Sequence, residues 1–173
     1  MNNLLQGVNV YLIGMMGSGK STIGNILARK LNYRFFDTDV LIERVAAKPI
    51  PEIFASGGET YFRDLETQVL KEVSAYRSSA IATGGGIIQK PLNWSYLRQG
   101  LVIWLDVDVE ILRKRISGDE NRPLAAKLES LLAERNSLYS LADLQIKCVD
   151  EQTPEQVANR IVEQIPGMIM SQG

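Results

Sequence analysis

The sequence predicts an α/β domain built on a parallel sheet with helices on both faces. Three observations carry that prediction. Short apolar runs alternate with segments of helical periodicity along the whole chain, as successive βαβ units require. The first apolar run opens directly into a glycine-rich loop and then a helix. The chain has 173 residues, enough for one domain with a sizeable core, and no internal repeat, low-complexity tract or interdomain linker divides it.

The elements follow in order. Residues 8–13 (VNVYLI) form an apolar run ending at Gly14, and Ile23, Ile26, Leu27 and Leu31 then recur at helical spacing. YRFFDTD, 33–39, reads as a second strand, and VLIERVAAK, 40–48, as a helix stopped near Pro49 and Pro51. The segment 56–76 opens on a glycine turn and becomes amphipathic. SAIATGGG, 79–86, is a strand entering three glycines, and GLVIWLDV, 100–107, is another apolar strand followed by the helical VEILRKRI. SGDENRPLAAK, 117–127, is polar with Gly and Pro and reads as a mobile loop. A helix is expected from Leu128 to about Leu141, a last strand in LQIKCVD, and a closing helix with Pro154 in its first turn. The tail PGMIMSQG is expected to fray.

Composition removes several function classes. Net charge is −1, so there is no basic field for wholesale binding to nucleic acid or a membrane surface. No apolar run approaches the roughly 20 residues of a membrane span. The amino-terminal MNNLLQGVNVYLIG lacks a basic stretch and a cleavage pattern. The single Cys148 excludes an internal disulfide framework and fits a reducing compartment. A monomer in the cytoplasm is expected, or in a plastid if a transit peptide has been removed. Histidine is absent, so catalysis must run on carboxylates, Lys, Arg, hydroxyls, backbone dipoles or a metal held by oxygen.

Gly14-Met15-Met16-Gly17-Ser18-Gly19-Lys20-Ser21 matches G-x-x-x-x-G-K-[ST] in full, with Thr22 next to it. Its glycines let consecutive N–H groups converge on phosphate oxygens, Lys20 would reach the β- and γ-phosphates, and the Ser21 hydroxyl would ligate Mg²⁺. A strand before and a helix after supply the required context. The motif names nucleotide binding, not a reaction.

The acceptor side is more open. If the second strand runs through Asp39, Asp37 and Asp39 share one side at the sheet edge where ligands sit. One carboxylate could support Mg²⁺ and the other hold a hydroxyl. Equally, Asp37 could end the strand while Asp39 caps the next helix. Asp106, after LVIWL, competes for the metal, and periodicity does not choose between it and Asp37. Arg135 falls within the apolar stripe of Leu128, Leu131, Leu132, Leu138 and Tyr139. Glu66 lies on the stripe of Phe62, Leu65, Val69, Leu70 and Val73, with Arg63 at its margin. These charges are either structural ion pairs or two arginines converging on a substrate carboxylate, with Glu66 orienting one of them. Gly84-Gly85-Gly86 would permit close approach of backbone to a ligand. Arg122, in the polar loop, suits a lid closing over transferring phosphate, and an ordinary solvated loop is the alternative.

Together GMMGSGKST, FFDTD, FRDLE, GGG, the RP of the loop and ERNSLY resemble shikimate kinases, in that order and from the first strand to about Pro154. The resemblance implies a three-layer α/β/α phosphate-binding-loop fold like that of nucleoside monophosphate kinases. It has a five-stranded parallel sheet, a lid at about 115–127 and a small acceptor-binding subdomain at about 38–66. It implies ATP- and Mg²⁺-dependent phosphorylation of the shikimate 3-hydroxyl. It implies that Lys20 contacts phosphates, Ser21 binds Mg²⁺, Asp37 supports the metal through water, and Asp39 holds the acceptor hydroxyls. It places Arg63 and Arg135 on the shikimate carboxylate, Gly84 to Gly86 along the pocket, Arg122 in the lid, and Arg115 and Pro154 beside adenine. The loop reads RPLA where the family usually reads RPLL. A gluconate-type small-molecule kinase and a non-catalytic nucleotide-binding module are the alternatives.

Overall fold

A computed structural model of the chain describes residues 4–116 and 127–170. Five strands, β1 (Val10–Ile13), β2 (Arg34–Asp37), β3 (Ser79–Ala82), β4 (Leu101–Val107) and β5 (Leu144–Cys148), form one sheet in the order β2-β3-β1-β4-β5. Every pairing is parallel. β1 sits at the centre and all four of its residues have 0% exposure, which explains why it reads as an unbroken apolar run rather than an alternating one. The edge strand β5 does alternate, with Ile146 and Cys148 buried and Gln145 and Lys147 exposed.

Helices connect the strands: α1 (Lys20–Leu31), α2 (Thr38–Ala46), α3 (Ile50–Ser74), α4 (Pro91–Leu97), α5 (Val109–Ile116), α6 (Leu128–Tyr139) and α7 (Pro154–Met170). α1 and α7 pack on each other, and the main core runs from β1 outward through Leu27, Ile81, Ile103, Leu112, Ile146 and Ile161. A second, smaller cluster of Ile42, Ile53, Phe62, Leu65 and Val69 fastens α2 to α3. No described helix is long and apolar enough to cross a membrane.

Four sequence expectations change. The second strand stops at Asp37 and α2 begins at Thr38, because the Asp37 side chain accepts from the N–H groups of Asp39 (2.9 Å) and Val40 (3.3 Å). Asp39 therefore lies in a first helical turn, and strand alternation is not what brings it near Asp37. The glycine turn expected near residue 57 is a kink inside α3 at Gly58 (φ 75°, ψ −179°), and α3 starts well before it, with Pro51 in its first turn. The short turn Ile87–Gln89 and α4 were not anticipated at all. The tail does not fray at Pro166, since α7 continues through it to Met170. The loop expected to form a lid, and Arg122 with it, lies outside the described residues.

Candidate active site

The glycine loop leaves β1 at the carboxyl edge of the sheet and delivers Lys20 at the first position of α1. Gly14, Gly17 and Gly19 have φ of 146°, 76° and 95°, conformations that side chains with a Cβ rarely adopt. Lys20 is buried, and its Nζ donates to the carbonyls of Gly14 (2.7 Å) and Met15 (2.8 Å). Burial lowers its pKa to about 8, against the pull of the Asp39 and Asp37 charges, with Arg135 lowering it further. Lys20 thus remains mostly a cation at neutral pH, buried in a loop where a phosphate would be attracted.

Ser21 Oγ donates to Oδ2 of Asp37, across from the Asp37 oxygen that caps α2. The pair presents hard oxygen donors of the kind Mg²⁺ accepts. Among the described residues no group of three or more His, Cys, Asp or Glu could cage a metal. Asp106 is turned elsewhere, its Oδ2 accepting from Gln145 Nε2 on β5 at 2.7 Å.

The residues expected on the acceptor side gather around Gly84 to Gly86, at the end of β3. A Cβ on Gly84 would come within 2.7 Å of Glu66 Oε2 and 3.0 Å of Asp39 Oδ1. A Cβ on Gly85 would lie 3.3 Å from Arg135 Nη1, and one on Gly86 would overlap the Arg63 guanidinium. Three bare backbone positions thus let four charged side chains from α2, α3 and α6 close on one wall. The backbone N–H of Gly84 donates to the buried Thr38 hydroxyl at 3.2 Å, tying the wall to the start of α2. Asp39 has its pKa raised, first by burial and then by the Asp37 charge, with Lys20 pulling it down. Burial likewise raises Glu66, which Arg63 opposes.

The two arginines differ. Arg63 Nη1 pairs with Glu66 Oε1 at 2.8 Å, and Glu66 has 0% exposure. Arg135 is 7% exposed, and among the described residues it forms no ion pair with a carboxylate. Two of its N–H donors, Nε and Nη2, lie 3.2 and 3.3 Å from the end of the Gln89 amide that faces them, and the amide satisfies them only when assigned with its oxygen at that end. Among the described residues an ion pair is therefore formed by Arg63 and not by Arg135.

A separate cavity of about 340 Å³ lies behind the loop, lined by Gly17, Gly19, Thr22, Arg115 and Pro154 among others. Arg115 Nη1 donates to the Gly17 carbonyl at 2.9 Å, which sets it at the rim. Cys148, Val149 and Gln152 also line this cavity and were not read from the sequence, where nothing distinguishes them from the end of a strand. Tyr139 was read only as part of an apolar stripe. Its hydroxyl donates to Gly85 O at 2.5 Å and lies 3.6 Å from Met15 Sδ, so it joins the phosphate loop to the acceptor wall. A buried tyrosine needs such a partner, which was the available signal.

A phosphate cradle at the start of α1 and a charged acceptor wall beside it, at one sheet edge, define a phosphate-binding-loop phosphotransferase. The comparisons with known proteins narrow this class. A family model described as "Shikimate kinase" matches residues 16–166. A shikimate kinase of Microcystis aeruginosa is 56% identical over 96% of this chain and 91% of its own. The structure of a shikimate kinase from Acinetobacter baumannii in complex with shikimate superimposes with a TM-score of 0.86 at 37% identity, covering 95% of this chain and 94% of that one. That of Aquifex aeolicus gives 0.84 at 35% identity, over 94% and 98%. The chain belongs to the shikimate kinase family.

Proposed function

We propose that the chain transfers the γ-phosphoryl group of ATP to the 3-hydroxyl of shikimate, with each charged side chain of the site in a separate role. The observation that carries this reading is the joint placement of Asp39, Arg63 and Arg135 on the Gly84–Gly86 wall, with Asp39 close enough to Lys20 to act on its charge. A carboxylate acceptor needs cations on one side and a hydroxyl acceptor on the other, and this wall offers both.

Phosphoryl transfer needs positioning and charge neutralisation more than covalent help. Lys20 would leave its loop carbonyls for the β- and γ-phosphates, and the loop N–H groups would bind the same oxygens. Ser21 and Asp37 would hold Mg²⁺, which would offset the charge of the phosphates when bound. Arg63 and Arg135 would fix the acid by its carboxylate. Asp39 would accept the hydrogen of the reacting hydroxyl and direct the oxygen in line with the γ-phosphorus. Its raised pKa makes it a better proton acceptor than an ordinary exposed aspartate. Arg115 and Pro154 would flank adenine. By resemblance, Arg122 would close over the phosphates. Residues 38–66 would serve as the acceptor-binding part of a single domain, with 115–127 as its lid. A monomer in the cytoplasm goes with this reading, and the cyanobacterial relatives lend the plastid alternative no support.

A coupled ADP-release assay with shikimate, gluconate and nucleoside monophosphates tests the assignment. Turnover with shikimate alone is expected. ATP binding without shikimate-dependent turnover would favour a binding module. Gly86→Ala supplies a narrower check. The added methyl overlaps Arg63, so the shikimate KM should rise about tenfold or more while the ATP KM stays within about twofold.

A further inference from the structure

We propose that Gln89 is a positioning residue that holds the Arg135 guanidinium in place for an incoming carboxylate without neutralising it. The proposal rests on the reading of Arg135 as a carboxylate anchor. A guanidinium that is 7% exposed needs acceptors, and in most buried settings a carboxylate supplies them, as Glu66 does for Arg63. A carboxylate there would also cancel the charge and compete with the substrate's own. An uncharged amide oxygen aligns the N–H groups and leaves the positive charge available.

The surrounding structure gives Gln89 this reach. It ends the short turn Ile87–Gln89, whose Ile87 and Ile88 have 0% exposure, and its backbone N–H donates to Gly86 O at 3.1 Å. The turn is therefore fixed to the glycine wall on which the acceptor would sit. Gln89 takes the Nε and Nη2 side of the guanidinium. Nη1 is left toward Gly85, whose carbonyl accepts from the Tyr139 hydroxyl. Arg63 carries a charge already paired with Glu66, so Arg135 is the stronger electrostatic anchor of the two.

The test compares Gln89→Glu and the near-isosteric Gln89→Met with the unchanged enzyme, using shikimate and its carboxamide as acceptors at saturating ATP. The unchanged enzyme should prefer the acid. Gln89→Glu should raise the KM for shikimate about tenfold, leave that for the carboxamide within about twofold, and leave kcat and the ATP KM equally close. Gln89→Met should raise the shikimate KM by about threefold, through lost alignment alone. A shikimate KM that stays within twofold in Gln89→Glu overturns the proposal, and so does an equal rise for both acceptors. An unchanged enzyme that does not distinguish acid from amide overturns the carboxylate-anchor reading itself.

Discussion

Replacing Asp39 by Asn is expected to lower kcat by about 10²- to 10⁴-fold, the usual span for a positioned acid–base group, while ATP still binds. Asn keeps the volume and still offers an oxygen, but it cannot take a proton, and its NH₂ would face a hydroxyl that needs an acceptor. Asp39 lies beside Gly84, close to Glu66 Oε2, and its substitution leaves the loop backbone and Ser21 untouched. One indirect effect has a known sign. The Asp39 charge helps hold the Lys20 pKa up at about 8, so Asn lets it fall further and reduces the cationic fraction. ATP affinity should therefore be compared at pH 7 or below, where Lys20 remains protonated in the unchanged enzyme. Unchanged turnover would remove Asp39 from the mechanism. A loss of ATP binding as large as the loss of turnover would mean that Asp39 acts through Lys20 rather than on the acceptor.

The phosphate side of this site was legible because a short contiguous motif specifies it. Gly14 through Ser21 carry their own backbone geometry, and the buried run before them is the central strand. The acceptor side comes from four separated segments, and only periodicity hinted at it. Glu66 and Arg135 on apolar stripes were correctly marked as buried charges, because a charge there must be answered by something. Their partners were legible only in part, since a pairing of Glu66 with an arginine was expected and Gln89 was not. Glu66 meets Arg63 within one helix at i and i+3, whereas Arg135 meets Gln89 from a turn that the sequence pattern did not reveal at all. The same limit explains Asp37 and Asp39. Their nearness was expected from strand alternation, yet it arises because Asp37 caps the helix in which Asp39 sits. Asp37 combines the cap and a position against Ser21 in one carboxylate, so the structural and functional readings of that residue are not exclusive. Asp106 differs from it in its contacts, its carboxylate accepting from Gln145 on the neighbouring strand rather than from Ser21.

Arg135→Ala is expected to raise the shikimate KM by about 30-fold or more, since truncating one partner of a buried charged contact costs about 2–5 kcal/mol, with little change in the ATP KM. The contrast with Arg63→Ala makes the expectation specific. Arg63 is bonded to Glu66, which has 0% exposure and one oxygen, Oε2, already lacking a partner. Removing Arg63 would leave that carboxylate buried with no bonded counter-charge and only the more distant Arg135 acting on it, a change of up to about 3–5 kcal/mol in stability when ionisation is forced. Glu66 would partly escape by taking up a proton, since burial already raises its pKa. Arg63→Ala should therefore lower the melting temperature as well as raise the shikimate KM, and the thermal loss should shrink as pH falls and Glu66 becomes protonated. Arg135→Ala breaks no ion pair with a carboxylate among the described residues, because the group facing its Nε and Nη2 there is the uncharged Gln89 amide. Its melting temperature should fall less than that of Arg63→Ala, and the pH dependence of the shift should be the weaker of the two, since the Arg135 charge acts on Glu66 less than that of Arg63 does. Thermal melts of both variants from pH 5 to 8, set beside their shikimate KM values, separate the two roles. A melting temperature that falls in Arg135→Ala while the KM does not move would make Arg135 a structural residue and leave Arg63 as the only carboxylate anchor.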